Sequence, residues 1–221
     1  MPKNSDSKIF FADRHAAAQE LVEAMPIEQL REQPVTVIAI SEGGVLIAEP
    51  IAAKLEAPLD VLLSEPIPAP NNPDLPIAMI SETQTLVMHK ALIDSFGIDE
   101  DYVYDEARRL YDEKVLSHLY RYRNGEPLTS VKDRVVVLVD ECAETGITTL
   151  MAIKSMIEKE AKNVYLAVPI LDQSTYDNLL TVCDGVFCPH RIRDYISIDF
   201  YYASLEPPTL ETIKRIITHH A

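Results

Sequence analysis

Two short runs, VTVIAIS (Val35 to Ser41) and RVVVLVD (Arg134 to Asp140), constrain the fold of this chain more than any other feature. Both are rich in β-branched residues and neither has a polar face. A strand with one wet side alternates apolar and polar residues, whereas a strand covered on both sides has no reason to. Both runs therefore read as interior strands of a parallel sheet, and such a sheet needs helices over each face.

The rest of the chain supplies those helices. MPKNSDSK reads as a disordered start. ADRHAAAQELVEAM then puts Ala16, Leu21, Val22 and Met25 on one helical face, with Asp13 in the first turn and Pro26 closing the helix. Gly43 and Gly44 end the first strand, and VLIAEPIAAKLEA returns as a helix that Pro50 should kink or divide. PLDVLLSE is the next strand. From Glu65 to Pro76 the sequence EPIPAPNNPDLP is too rich in proline and asparagine for a sheet interior and predicts a surface loop. Strand-like IAMIS and TLVMH follow, then one long helix with Ala107, Tyr111, Val115 and Leu119 in register, stopped at NGEP. Strand and helix alternate from there to TLETIKRIITH. The predicted fold is α/β: a mostly parallel twisted sheet with helices on both faces, plus a small flap and hood. One domain over 1–221 accounts for it, with 66–100 as the flap region and 189–221 as the C-terminal hood and helix.

Charge narrows the partners. Against 20 Lys and Arg stand 35 Asp and Glu, a formal charge of −15 that repels nucleic-acid phosphates and anionic membranes. No apolar run approaches the roughly eighteen residues of a membrane span, and the N-terminal stretch lacks the pattern of a leader, so a cytoplasmic protein is expected. Cys142, Cys183 and Cys188 are expected to be reduced thiols. CDGVFCPH does not match a zinc knuckle, and buried strand thiols are the simpler account.

The chemistry gathers in DECAETGITT, where the second interior strand ends. Ligands of open α/β sheets bind beyond the carboxyl ends of the strands. Residues Ala143 to Thr148 bring backbone N–H groups to the start of a helix, which favours a phosphate. Thr145, Thr148 and Thr149 add hydroxyl donors, and Gly146 lets the backbone approach closely. Asp140 and Glu141 are placed to accept hydrogen bonds from sugar hydroxyls of the same ligand. The pattern asks for a sugar phosphate.

An apolar run, Asp140-Glu141, three residues and Thr145-Gly146 closely resemble the phosphoribosyl pyrophosphate signature of type I phosphoribosyltransferases. FFADRHAAAQELVEAM, VIAISEGGVLIAEPIAAKLEAPLDVLL, PNNPDLPIAMISE, LYRYRNGEP and CDGVFCP through IDFYYASLEPPTLETIKRI resemble successive blocks of one bacterial branch of that family. The resemblance implies that Asp140 and Glu141 hold the ribose hydroxyls, that Ala143, Glu144, Thr145, Gly146, Ile147 and Thr148, following Cys142, surround the 5-phosphate, and that Ser41, Glu42, Gly43 and Gly44 face the pyrophosphate. It implies Mg²⁺ carried mainly by the ligand, touching Asp140 and Glu141 only indirectly, and a homodimer. Glu144 stands where members acting on 6-oxopurines carry an acid. Either it handles the proton of the attacking base, or it simply favours a helix N-terminus. Phe200, Tyr201 and Tyr202 lie where relatives place a hood over the base, and either stack on a ligand ring or pack in the core.

Two positions depart from the pattern. Glu42 replaces an arginine and Glu65 a lysine, both of which would face the leaving pyrophosphate. Two unit charges about 4 Å apart interact by roughly 4 kcal/mol at an effective dielectric of 20, so the reversal is costly. Lys54, Lys90, Arg108, Arg109, Lys114, Arg121 and Arg123 are the candidate replacement cations. Two functions remain open: a Mg²⁺-dependent phosphoribosyltransferase acting on a nucleobase, with purine favoured by Glu144, or a non-catalytic protein that binds a nucleoside monophosphate or sugar phosphate.

Overall fold

The computed structural model describes residues 9–143 and 146–220. The start expected to be disordered, and Glu144 and Thr145 of the phosphate loop, lie outside the described residues.

α1 (Arg14–Ala24) and α2 (Ile27–Arg31) precede β1 (Val35–Ala39), and α3 (Glu42–Leu55) leads to β2 (Leu59–Val61). Three strands follow, β3 (Ser64–Ala69), β4 (Asn72–Ser81) and β5 (Leu86–Met88), then α4 (Lys90–Ser95). A long helix runs through α5 (Glu100–Leu110), a π-helical turn (Tyr111–Val115) and α6 (Leu116–Arg123). The second half contains β6 (Val135–Val139), β7 (Cys142–Ala143), α7 (Ile147–Glu158), β8 (Asn163–Ala167) and β9 (Ile170–Asp172). It ends with α8 (Gln173–Leu179), β10 (Gly185–Phe187), β11 (His190–Ile192) and α9 (Leu210–His219).

The central sheet has the order β10-β8-β6-β1-β2, and every pairing in it is parallel. Both interior runs are buried from end to end, as their missing polar face requires. Alternate residues serve opposite faces. Val35, Val37, Val135, Val137 and Val139 pack with α1, α3 and α9, while Ile38, Val136 and Leu138 pack with α7. Each such side chain contributes about 1.5–3 kcal/mol of hydrophobic stabilisation. Among the described residues no helix is long and apolar enough to cross a membrane.

Four local expectations change. Gly43 and Gly44 do not end a strand; they form the first turn of α3, with Ser41 as its cap. Pro50 does not divide that helix, which is held from either side by the buried Ile47, Ala48, Ile51 and Ala52. In α1 the buried stripe is Ala17, Ala18, Leu21 and Met25, so Ala16 and Val22 are only half-buried, and Asp13 caps the helix by accepting from the Ala16 N–H at 2.9 Å. The predicted loop from Glu65 to Pro76 is instead the antiparallel hairpin of β3 and β4.

Position in the sheet explains the hairpin. Pro66 and Pro68 lie on β3, an edge strand of the β3-β4-β5 sheet, where a missing donor costs little. Pro73 and Pro76 lie on the part of β4 that β5 does not reach, since β5 pairs only with Ala78 to Ile80. The register shifts around Pro68 absorb what remains.

This hairpin has its own apolar cluster, in which Ile67, Ile77 and Ile80 meet Val103, Ala107, Leu110 and Val115 of the long helix. Leu110 and Val115 are five residues apart yet share that cluster, because the π-helical turn adds a residue to the helical repeat between them.

Candidate functional site

The parallel register decides which groups meet. Ala39 pairs with Val139, and Val139 with Ala167, so the turns after β1 and β6 leave the sheet side by side at its carboxyl edge. Ser41 Oγ donates to Asp140 Oδ1 at 2.5 Å, and the Gly44 N–H donates to the same hydroxyl at 2.9 Å. The Glu141 N–H also donates to Asp140 Oδ1, at 2.8 Å. A Cβ on Gly44 would lie 2.9 Å from both Ser41 Oγ and the Val139 carbonyl, so close approach of the two turns requires glycine there.

Burial pushes the Asp140 carboxyl up to about 7, despite the Ser41 hydroxyl and the Glu141 amide, which favour its charged form. The neighbouring Glu141 charge adds to the rise. Glu141 itself has a cationic partner: Arg14 Nε lies 2.5 Å from its Oε1. Its carboxylate is packed over α3, where a Cβ on Gly43 would collide with Oε2. Tyr202 secures the backbone, its hydroxyl donating to the Glu141 carbonyl at 3.3 Å.

Of these groups, Asp140 and Glu141 border a cavity of about 620 Å³. Asp140 to Ala143 form one wall, and Gly146, Thr148 and Thr149 at the opening of α7 form the next. Gly146 has φ +72°, a left-handed turn suited to glycine, and directs the chain into the helix. Asp74, Leu75 and Pro76 of the hairpin and Ile198 of the C-terminal segment close the remaining sides. Backbone N–H groups of a helix N-terminus, threonine hydroxyls and two carboxylates thus face one space. They can accept from sugar hydroxyls at one end and donate to a phosphate at the other.

The other predicted residues divide between this cavity and the core or neighbouring contacts. Cys142 is half-buried and lines it, while Ile147 points into the core. Tyr201 is buried, with Phe200 edge-on at 5.6 Å between ring centroids, and Tyr202 packs on Phe11. Hood-side lining comes from Ile198. Glu42 accepts from the Tyr122 hydroxyl. Glu65 is buried, with Lys114 Nζ at 3.4 Å and His118 Nδ1 at 3.3 Å. Lys114, His118 and Tyr122, spaced four apart along one helical face, thus meet both of the unusual acids.

The candidate cations are mostly engaged elsewhere. Lys90 pairs with Glu100, Arg108 with Asp105, and Arg109 with Glu106 and Glu113. Lys54 and Arg121 are exposed. Arg123 is buried between Asp60 and Glu82. Arg14, which reaches Glu141, was not among the candidates; the signal was an arginine directly after the cap of α1. Among the described residues no group of three or more His, Cys, Asp or Glu is arranged to hold a metal. Cys188 donates to the His190 carbonyl, and burial pushes its thiol up to about 12, but Cys183 and Cys188 are half-buried and flank β10 instead of lying in it, which corrects the expectation of buried strand thiols.

A family model described as "Phosphoribosyl transferase domain" matches residues 6–204. Two Mycobacterium tuberculosis proteins, from different strains and provisionally named as phosphoribosyl transferases, are each 29% identical over 178 residues. The match covers 80% of this chain and 40% of theirs, so the chain spans less than half the length of these relatives. The crystal structure of TT1426 from Thermus thermophilus superposes with a TM-score of 0.79 at 29% identity, covering 96% of this chain and 100% of that one.

Proposed function

The chain belongs to the phosphoribosyl transferase domain family, and we propose that it transfers phosphoribosyl from phosphoribosyl pyrophosphate to a nucleobase, releasing pyrophosphate. The observation that carries this reading is the shared cavity of Asp140, Glu141 and the Gly146 turn. Asp140 and Glu141 accept from the ribose hydroxyls, and the opening of α7 with Thr148 and Thr149 holds the 5-phosphate. A ring nitrogen of the base bonds to C1 of the ribose as the bond from C1 to the diphosphate oxygen breaks, and pyrophosphate leaves with the electron pair. Positive charge that builds on the ribose at the transition state is stabilised by the nearby carboxylates.

Mg²⁺, when bound, would neutralise diphosphate charge, carried mainly by the ligand's own phosphate oxygens and reached by Asp140 and Glu141 only through ligand and water. Glu144 is the proposed acceptor of the proton released by the attacking base, which favours a purine. Hairpin residues Asp74 to Pro76 exclude water from one side. A homodimer, on the resemblance alone, and cytoplasmic localisation, on the sequence pattern alone, complete the reading.

A second reading, a binding protein for nucleoside monophosphates, is favoured by Glu42 and Glu65. Two experiments decide. Pyrophosphate release from phosphoribosyl pyrophosphate, assayed with Mg²⁺ across purine and pyrimidine bases, should appear with at least one base; its absence together with monophosphate binding would select the second reading. Under either reading the Asp140→Asn, Glu141→Gln double variant should lose nucleoside monophosphate binding in calorimetry. Unchanged affinity would remove the site from this cavity.

A further inference from the structure

Glu141 faces two demands with one carboxylate. It lines the cavity, yet Oε1 is held by Arg14 Nε at 2.5 Å and Oε2 lies over Gly43. Side-chain exposures of 11% for Arg14 and 16% for Glu141 leave the pair little screened by solvent. Arg14 is fixed independently: its Nη1 donates to the Glu206 carbonyl at 2.6 Å, and the Asp13 cap anchors the helix that carries it. If Glu141 turned away, the guanidinium would stay behind. Its remaining N–H donors make no hydrogen bond among the described residues, and Glu42 is committed to Tyr122. Glu141 lines the cavity and Arg14 does not, so an incoming anion would meet the anchored arginine where this carboxylate now sits.

We infer that Arg14 is the cation of an oligophosphate subsite in this cavity and that Glu141 is its built-in placeholder. This inference rests on the sugar-phosphate reading of the cavity. A ligand phosphate takes Arg14, and the displaced Glu141 carboxylate turns to the ligand's sugar hydroxyls. Both charges stay paired or hydrogen-bonded through the exchange, which avoids the cost of a lone buried ion. Only a ligand carrying both groups completes it. Free pyrophosphate takes Arg14 but offers Glu141 nothing, so the site discriminates the activated sugar from its own leaving group.

The test is calorimetric titration of the full chain with inorganic pyrophosphate and, separately, with a purine nucleoside monophosphate. It compares wild type, Glu141→Ala, Arg14→Ala, Arg14→Lys and the Arg14→Ala, Glu141→Ala pair, with thermal melts to confirm folding. Glu141→Ala should tighten pyrophosphate on the order of tenfold while weakening the monophosphate by a comparable factor. Arg14→Ala should erase the gain in the paired variant, and Arg14→Lys should keep more pyrophosphate affinity than Arg14→Ala. A gain that survives loss of Arg14, or no gain at all in Glu141→Ala, would overturn the proposal. If pyrophosphate responds as stated but wild type binds no monophosphate, the sugar-phosphate reading fails while the anion subsite stands.

Discussion

Two arginines of this protein hold acids below the surface, and they differ in what surrounds them. Arg123, with a side chain 6% exposed, binds Asp60 at 3.0 Å, the Val61 carbonyl at 3.2 Å and Glu82, and both acids are 3% exposed. Its acids have further donors. Asp60 accepts from the Val61 and Thr129 amides, and Glu82 from the Leu63 amide. In the Arg14 pair the acid, Glu141, borders a cavity and has that one side-chain partner among the described residues. Redundant bonds make the first arrangement a fastening between β2, the end of β4 and α6; sparse bonds beside open space make the second exchangeable. The contrast separates a charge pair that holds the fold from one available to a ligand.

The largest effect should fall on the fastening. Arg123→Met leaves Asp60 and Glu82 buried without their cation and should cost about 3–5 kcal/mol in urea unfolding, with Arg14→Met costing well under that. Equal losses would break the comparison. Next in size is Asp140→Asn. The native carboxyl, raised to about 7, holds a proton that the unfolded chain releases near its ordinary value of 3.8, so stability falls as pH rises between those values. Above 7 the penalty is complete. Asparagine keeps the acceptor for Ser41 and the Glu141 amide, so the variant should be more stable on the order of 2 kcal/mol at pH 8 and indistinguishable near pH 4. Thermal melts across pH read this directly, and parallel curves for the two proteins would show that Asp140 is ionised throughout. The smallest effect sharpens the picture at Glu42: Tyr122→Phe removes one hydrogen bond to a carboxylate and should cost about 1 kcal/mol. A neutral result would mean that Glu42 finds water instead.

Much of this was readable from the chain because it is local. An unbroken apolar run shows that both faces of a strand are covered, and Asp140, Glu141 and Gly146, which meet at one cavity, lie within seven positions of each other. Arg14 lies 127 residues from its partner, and only the packing of α1 against α3 brings them together. The proline-rich hairpin was hidden for a different reason. Composition reports that a residue cannot donate; it does not report that the strand sits at an edge where no donor is needed. Likewise the helical row that meets Glu42 and Glu65 has an ordinary spacing, and its meaning depends on which strands lie opposite.

The π-helical turn between α5 and α6 adjusts angle as well as length. Each residue of an α-helix rotates the chain by about 100°, so deleting one residue from Tyr111–Val115 would swing everything beyond it through that angle. Tyr122 would leave Glu42, and Arg123 would leave its acids. One surplus residue therefore works like an offset on a camshaft: the hairpin cluster reads one phase of the helix, the sheet reads another, and both are correct only because the turn lies between them.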